Sequence, residues 1–243
     1  MDDVTRDDQQ TGRLLTRREV VALLGGAAGT GLLGSSVRAS IGPAMMPECI
    51  GRPEQTEGPY FLDSRLNRSD IRMEPSDGSI VEGVLLLLEF RVFRASPRGC
   101  TPLSGAVVDV WHCDAHGVYS GVSDPRFNTL GKKFLRGYQV TDPTGAARFQ
   151  TVFPGWYPGR TVHMHFKIRS NASGGTVSEF TSQLYFNDSD TDQVYKRSPY
   201  ANRGPRRMRN GDDGVFRAGG ERLTLALKQS GDVFTSIFEI GLQ

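Results

Sequence analysis

Hydrophobic and polar positions alternate with a period near two over most of the chain beyond residue 80. β-branched and aromatic residues concentrate in Val81–Arg94, Ala106–Cys113, Phe134–Thr141, Ala147–Phe153, Thr161–Arg169 and Phe180–Phe186. Each run is bounded by turn-forming residues, which predicts strands. The DPTG sequence of Asp142–Gly145 separates two of the runs and predicts a tight turn. Residues 187–214 are polar and read as loop, and Arg222–Lys228 and Asp232–Ile240 predict two closing strands. There is no repeat, no heptad pattern and no long amphipathic helix. Many short strands with turn punctuation favour an antiparallel all-β sandwich or barrel over an α/β fold.

The segments before residue 80 follow a different pattern. Residues 1–39 begin polar, place Arg17 and Arg18 after Thr16, and continue into an apolar, Gly/Ala-rich run from Val20 to Leu33. That run is too short and too glycine-rich for a membrane span. Small residues near Val37, Arg38 and Ala39 suit a signal peptidase, so the segment resembles a twin-arginine (Tat) export signal and predicts an exported protein, secreted or held at the cell envelope. Residues 40–80 are rich in Pro, Gly, Asp and Ser and predict an irregular arm, leaving 81–243 as the β domain.

Composition narrows the function classes. The 243 residues are 37% hydrophobic with a formal charge of +2, enough for one substantial core. The basic residues are scattered except at Arg203, Arg206, Arg207 and Arg209, which read as a solvated loop, so nucleic-acid binding has little electrostatic support. Cys49, Cys100 and Cys113 allow one disulfide and one free thiol, and no Cys/His spacing suits structural zinc.

The candidate chemistry lies in GWYPGRTVHMHFKI. Tyr157, Arg160, His163 and His165 fall within nine residues, and two of the chain's four histidines are separated by Met164 alone. On a strand, His163 and His165 point to one face, which offers two imidazoles to one metal. Tyr119, in the loop after Ala106–Cys113, reads on its own as a packed ring with its hydroxyl at the surface. His112 reads as a hydrogen-bonded strand histidine and His116 as an exposed loop residue. Tyr138, inside a predicted strand, reads as packing or pocket wall.

Three segments, GAVVDVWHCDAHGVYSG, FLRGYQVTDPTGAARFQTVFPGWYPGRTVHMHFKI and TSQLYF, resemble in order the intradiol ring-cleavage dioxygenases, the family of protocatechuate 3,4-dioxygenase and catechol 1,2-dioxygenase. TEGPYF, residues 56–61, resembles the family's amino-terminal arm. The resemblance implies a β-sandwich and a non-haem Fe(III) held by Tyr119, Tyr157, His163 and His165. It also implies a catechol-type substrate, O2 as co-substrate and a cis,cis-muconate-type diacid as product. In that scheme Tyr157 leaves the metal and takes up a substrate proton, Arg160 stabilises negative charge on the ring, and Gln183 lies beside the substrate. Directly bound trivalent metal would keep the two phenols as tyrosinates at neutral pH. The chain lacks the long helical amino-terminal segment of the catechol 1,2-dioxygenase branch, so that branch's dimer is not implied, although a homo-oligomer is compatible with the sequence. Two rivals stand beside this expectation. A non-catalytic sandwich module would stack Trp111, Trp156 and Tyr157 on aromatics or polysaccharide, and a cupin-like metalloprotein would need a further carboxylate and histidine that the sequence does not provide.

Overall fold

The computed structural model describes residues 50–97, 99–171 and 177–243. The predicted export signal and Cys49 lie outside the described residues. Among the described residues, eleven strands form two principal sheets and a small hairpin. Sheet I has the order β6 (Arg136–Val140), β3 (Val107–Trp111), β8 (His163–Asn171), β9 (Val177–Tyr185), with every pair antiparallel. Sheet II is built around β1 (Leu85–Ser96), which pairs with β11 (Val233–Leu242) on one side and with β2 (Gly99–Pro102) and β7 (Ala146–Val152) on the other. Strand β10 (Lys228–Ser230) extends β11, and β4 (Ser123–Asp124) and β5 (Phe127–Asn128) form the hairpin. The expected antiparallel sandwich is present, with one departure: β1 and β11 run parallel.

The core lies between the two sheets. Phe90 from β1, Phe166 from β8 and Phe238 from β11 meet with ring centroids 5.3–5.7 Å apart. Val108, Met164 and Ile168 of sheet I and Leu86, Val92 and Ile240 of sheet II fill the same layer at 0% exposure. Each large apolar side chain removed from water contributes about 1.5–3 kcal/mol before its ordering cost. Strand β8 is therefore pinned by its even-numbered residues, and its odd-numbered residues face away from the sandwich.

That outer face of sheet I is covered by the arm. Leu66 and Arg68 exchange backbone hydrogen bonds with Tyr138 on β6, and the Gln55 amide donates to the Thr181 carbonyl on β9. Phe61 packs on Trp111 at 4.8 Å, and the Lys167 ammonium meets Glu57 at 2.5 Å.

Three expectations fail, wholly or in part, beyond the core. Residues 187–214 are not simply loop: α1 (Asp188–Val194) and two 3-10 turns, Tyr200–Arg203 and Asn210–Asp212, lie within them, and the short helix α2 (Gly214–Arg217) starts at their end. Arg222–Lys228 does not form the predicted strand. Its leucines alternate inward, with Leu223 and Leu225 buried, but Gly220–Leu223 is a 3-10 turn and Thr224 makes only an isolated bridge to Tyr185. Alternation with one isolated bridge and no continuing ladder does not make a strand.

The arginine cluster is a solvated loop only in part: Arg207 and Arg209 are exposed, while Arg203 and Arg206 are partly buried and engaged. Arg206 is bound by Asp188 and Asp192, and Arg209 also pairs with Asp192. Arg203 lies over the Trp156 ring at 4.6 Å and donates to the Trp156 carbonyl. Cys100 is disulfide-bonded, and Cys113 is a buried free thiol. Among the described residues no helix is long and apolar enough to cross a membrane.

Candidate metal centre

Strand register builds one side of the site. On the outer face of sheet I, His165 stands opposite Trp111 on β3 and Gln183 on β9, while His163 stands opposite Tyr185. Trp111 stacks on the His165 ring, centroids 5.1 Å apart and 8° from parallel. Two loops supply the tyrosines. The loop after β3 carries Tyr119, and the loop between β7 and β8 carries Tyr157 and Arg160. Close approach locks these loops together. At Gly117 φ is +78°, and a Cβ there would collide with the Trp156 carbonyl, so only glycine fits. Arg136, 2% exposed, donates to the Ser120 carbonyl and to the Tyr60 carbonyl of the arm, fixing the residue beside Tyr119. Burial lowers its pKa to about 10, still high enough to keep the charge at neutral pH.

The structure brings the predicted residues together. Tyr157 Oη lies 3.0 Å from His163 Nε2, which lies 3.1 Å from His165 Nε2. The Tyr119 ring stands 5.8 Å from that of Tyr157 and 6.3 Å from that of His165. Arg160 Nη1 is 3.5 Å from His163 Nε2, and its Nη2 donates to Gln183 Oε1 at 2.7 Å. His163 Nδ1 faces the Thr161 carbonyl at 2.7 Å. A carbonyl only accepts, so Nδ1 carries the proton and Nε2 presents its lone pair toward Tyr157 and His165.

The other candidates lie elsewhere. His112 is buried with Nδ1 on the Cys113 carbonyl and Nε2 on Thr151 Oγ1, a satisfied structural histidine. His116 is exposed, and Tyr138 is partly exposed on β6 beside Arg65 and Arg169. A cavity of about 590 Å³ lies on the outer face of sheet II, against Leu87, Phe149 and Ile237, and includes none of the site residues.

Protonation follows from burial. Desolvation first, and then the charge of Arg160, pull the His163 pKa to about 3, while burial and His163 hold His165 well below 6.5. Both imidazoles are thus neutral ligands at neutral pH. Burial also pushes both phenols upward, Tyr119 with a further push from Tyr157. Without a cation nearby they are neutral.

The residues fit a metal. Tyr119 Oη is buried with no hydrogen-bond partner, although nearly all buried polar groups in folded proteins have one. Three further donor atoms converge beside it within 3.1 Å of one another in sequence Oη, Nε2, Nε2. Two nitrogens bound at ~2.1 Å and at right angles to one cation are ~3.0 Å apart, close to the imidazole separation found here. Among the described residues no group of three or more His, Cys, Asp or Glu side chains could hold a metal. Any ion at this point therefore has two nitrogens and phenolic oxygens as its protein donors, and hard anionic oxygen favours a highly charged cation.

Several neighbours carry no signal in the sequence read alone. Tyr60 lays its ring on Tyr119 at 4.7 Å and donates to Asp124 Oδ2 at 2.5 Å. Gly58, at φ +71°, brings arm backbone against the His165 ring, where a Cβ would sit 3.1 Å from Cε1. Tyr185 Oη lies 2.7 Å from Gln55 Oε1 and 3.0 Å from Gln183 Oε1, and its single proton can go to one of them at a time. The period-two alternation of β3 could have placed Trp111 on the ligand side, and that of β9 puts Tyr185 on the face of Gln183; nothing periodic marks Tyr60.

A dioxygenase family model matches residues 56–202, which contain all six predicted site residues. A chlorocatechol 1,2-dioxygenase from Pseudomonas putida is 30% identical over 155 residues, 54% of this chain and 52% of that protein. The protocatechuate 3,4-dioxygenase beta chain of Burkholderia cepacia is 33% identical over 101 residues, 38% of this chain and 42% of that protein. The chain spans about half the length of the curated relatives it matches. Among solved structures, an intradiol ring-cleavage dioxygenase from Tetranychus urticae superposes with a TM-score of 0.69 at 33% identity, covering 79% of this chain and 94% of that one. The dioxygenase domain of a dioxygenase carbohydrate-binding protein fusion from Streptomyces sp. SirexAA-E gives 0.55 at 30% identity, covering 79% and 98%. With a matched segment of more than half its length and a shared sandwich, the chain belongs to the intradiol ring-cleavage dioxygenase family.

Proposed function

We propose that this protein cleaves a catechol-type ring between its two hydroxylated carbons with O2, at a non-haem Fe(III) held by Tyr119, Tyr157, His163 and His165, giving a cis,cis-muconate-type diacid. The observation that carries this reading is the convergence of Tyr157 Oη, His163 Nε2 and His165 Nε2 beside the unpartnered hydroxyl of Tyr119. When bound, Fe(III) supplies Lewis acidity that keeps both phenols ionised and draws electron density from a coordinated catechol.

The chain's own groups do the rest. The Thr161 carbonyl holds His163 in the tautomer that offers Nε2. Tyr157 is partly exposed while Tyr119 is 1% exposed, so Tyr157 is the phenolate able to reach a substrate hydroxyl and take its proton. A phenol whose pKa burial pushes upward is a competent base once it leaves the cation's influence. Arg160 keeps its charge and turns Nη1 toward His163 Nε2, where negative charge on a bound ring would develop. The Gln183 amide is spent on both sides, accepting from Arg160 and donating to the Thr56 carbonyl, which makes it an orienting group between β9 and the arm. Tyr60 and Gly58 cover Tyr119 and His165 and exclude water from that flank.

Ferric protein should be red-brown from tyrosinate-to-Fe(III) charge transfer. Colourless ferric protein, or colour that survives the double change Tyr119→Phe and Tyr157→Phe, refutes the metal assignment. Product analysis with catechol, protocatechuate and hydroxyquinol then identifies the phenol. The reading includes Tat-dependent export through residues 1–39, which amino-terminal sequencing of the extracellular or envelope fraction tests.

A further inference from the structure

Asp213 lies beyond the segment matched by the family model and 53 positions after Arg160. It is 2% exposed, and its two carboxylate oxygens face different parts of the fold. Oδ1 accepts from the amides of Val215 and Phe216 at 2.7 and 3.2 Å, capping α2. Oδ2 accepts from Arg160 Nε and from the Thr161 amide, both at 2.8 Å. Neighbouring Asn210 accepts from Thr161 Oγ1 at 2.6 Å.

One buried carboxylate oxygen thus fixes two consecutive residues with different tasks. Thr161 presents the carbonyl that sets the His163 tautomer. Arg160 has its Nε on Asp213 and its Nη2 on Gln183 Oε1, two anchors that fix the guanidinium plane and leave Nη1 turned toward His163 Nε2. A helix cap alone needs only one oxygen. The second oxygen aims at the site.

We propose that Asp213 is a positioning residue for the reaction proposed above, holding the Arg160 guanidinium and the Thr161–His163 clamp in register with the substrate. It touches neither metal nor substrate and acts through those two neighbours. The inference rests on the dioxygenase reading, and the following tests separate the two.

Asp213→Asn keeps the shape and an oxygen for the α2 cap but removes the charge that holds Arg160. Misplacing a catalytic group by about 1 Å costs on the order of 100-fold. Asp213→Asn should therefore lower kcat by roughly 10- to 100-fold with a much smaller change in KM. In an Arg160→Ala background the same change should lower kcat severalfold less than it does in the wild-type background, because one of the two groups it positions is gone and only the Thr161–His163 clamp remains to be disturbed. In the metal-free protein, proton–nitrogen NMR of the arginine Nε–H groups should show, beside the protected signals of buried Arg136 and Arg206, one exchange-protected signal that disappears in both Asp213→Asn and Arg160→Ala. Asp213→Glu, which retains the charge, should recover the signal and part of the kcat.

Wild-type-like kcat in Asp213→Asn, equal losses in both backgrounds, or no protected Arg160 signal overturns the positioning role while leaving the dioxygenase reading intact. If Asp213→Asn does not fold, the Arg160 signal in the wild-type protein and the Asp213→Glu variant still decide. Wild-type protein that neither binds iron nor consumes catechols refutes the underlying reading instead.

Discussion

Removing the hydroxyl of Tyr119 should stabilise the metal-free protein. Its Oη is buried, makes no hydrogen bond of ordinary geometry although the Tyr157 hydroxyl is its polar neighbour, and belongs to a phenol that burial keeps protonated, so the metal-free fold carries a poorly used donor. Leaving such a group unsatisfied costs about 1–3 kcal/mol, and replacement by an apolar group of the same shape removes that cost. Phenylalanine keeps the ring contacts to Tyr60 and Tyr157 at 4.7 and 5.8 Å. Tyr119→Phe should then raise apo stability by about 1–2 kcal/mol, roughly 2–8 °C in Tm for a domain of this size. Tyr157→Phe should do the reverse, because Tyr157 Oη bonds His163 Nε2 at 3.0 Å and its loss leaves that buried nitrogen only the long 3.5 Å contact with Arg160 Nη1. Guanidinium denaturation and thermal melts in the presence of chelator measure both, and ferric loading should abolish the advantage of Tyr119→Phe. A drop in apo stability for Tyr119→Phe comparable to that for Tyr157→Phe would refute the reasoning that the site is organised for an ion.

Two further perturbations follow from the same geometry. His112 is fully buried and its pKa is lowered to about 4 from 6.5, chiefly by desolvation. Between those values the unfolded chain binds a proton that the folded chain excludes. Stability should therefore fall as pH drops from about 6.5 to about 4, by about 3 kcal/mol from this residue, and level off below. His163 adds to the same limb in metal-free protein. A His112→Asn variant, less stable at neutral pH, should show a shallower acid slope in denaturation curves; an unchanged slope contradicts the assignment. Gly117→Ala forces an L side chain into φ +78° and against the Trp156 carbonyl, at a cost of about 2–5 kcal/mol. Thermal melting should show the loss, and ferric colour should weaken with it, because the change parts the two loops that carry Tyr119 and Tyr157.

What could be read in the sequence was what obeys a local period. The His163–Met164–His165 alternation is visible because β8 places core on one face and chemistry on the other. The strand positions follow from the same rule, with ends shifted by a few residues, as in β1, which starts at Leu85 rather than Val81. Arg222–Lys228 obeyed the period and still failed, since alternation reports burial and not whether a backbone partner exists. Arg206 looked like a solvated charge because Asp188 and Asp192, 18 and 14 positions upstream on α1, become its partners only once that unpredicted helix forms. Asp213 and Tyr60 lie 53 and 64 positions from the partners they bind, Arg160 and Asp124, a separation that leaves no periodic trace. Tyr119 read as an ordinary packed ring until family resemblance supplied its role, and its burial among the other donors is a property of loop geometry alone.

The arm does more than cover the ligands. Sheet I has two outer edges, β6 and β9, and the same segment reaches both, pairing through Leu66 and Arg68 at one and through Gln55 at the other. Unpaired sheet edges are templates for strand addition by another chain. A chain clipped between the arm and β1 would lose its water shield and its edge protection in one event. Proteolytic damage at that point should thus end in self-association of the remnant, so that inactivation and aggregation arrive together.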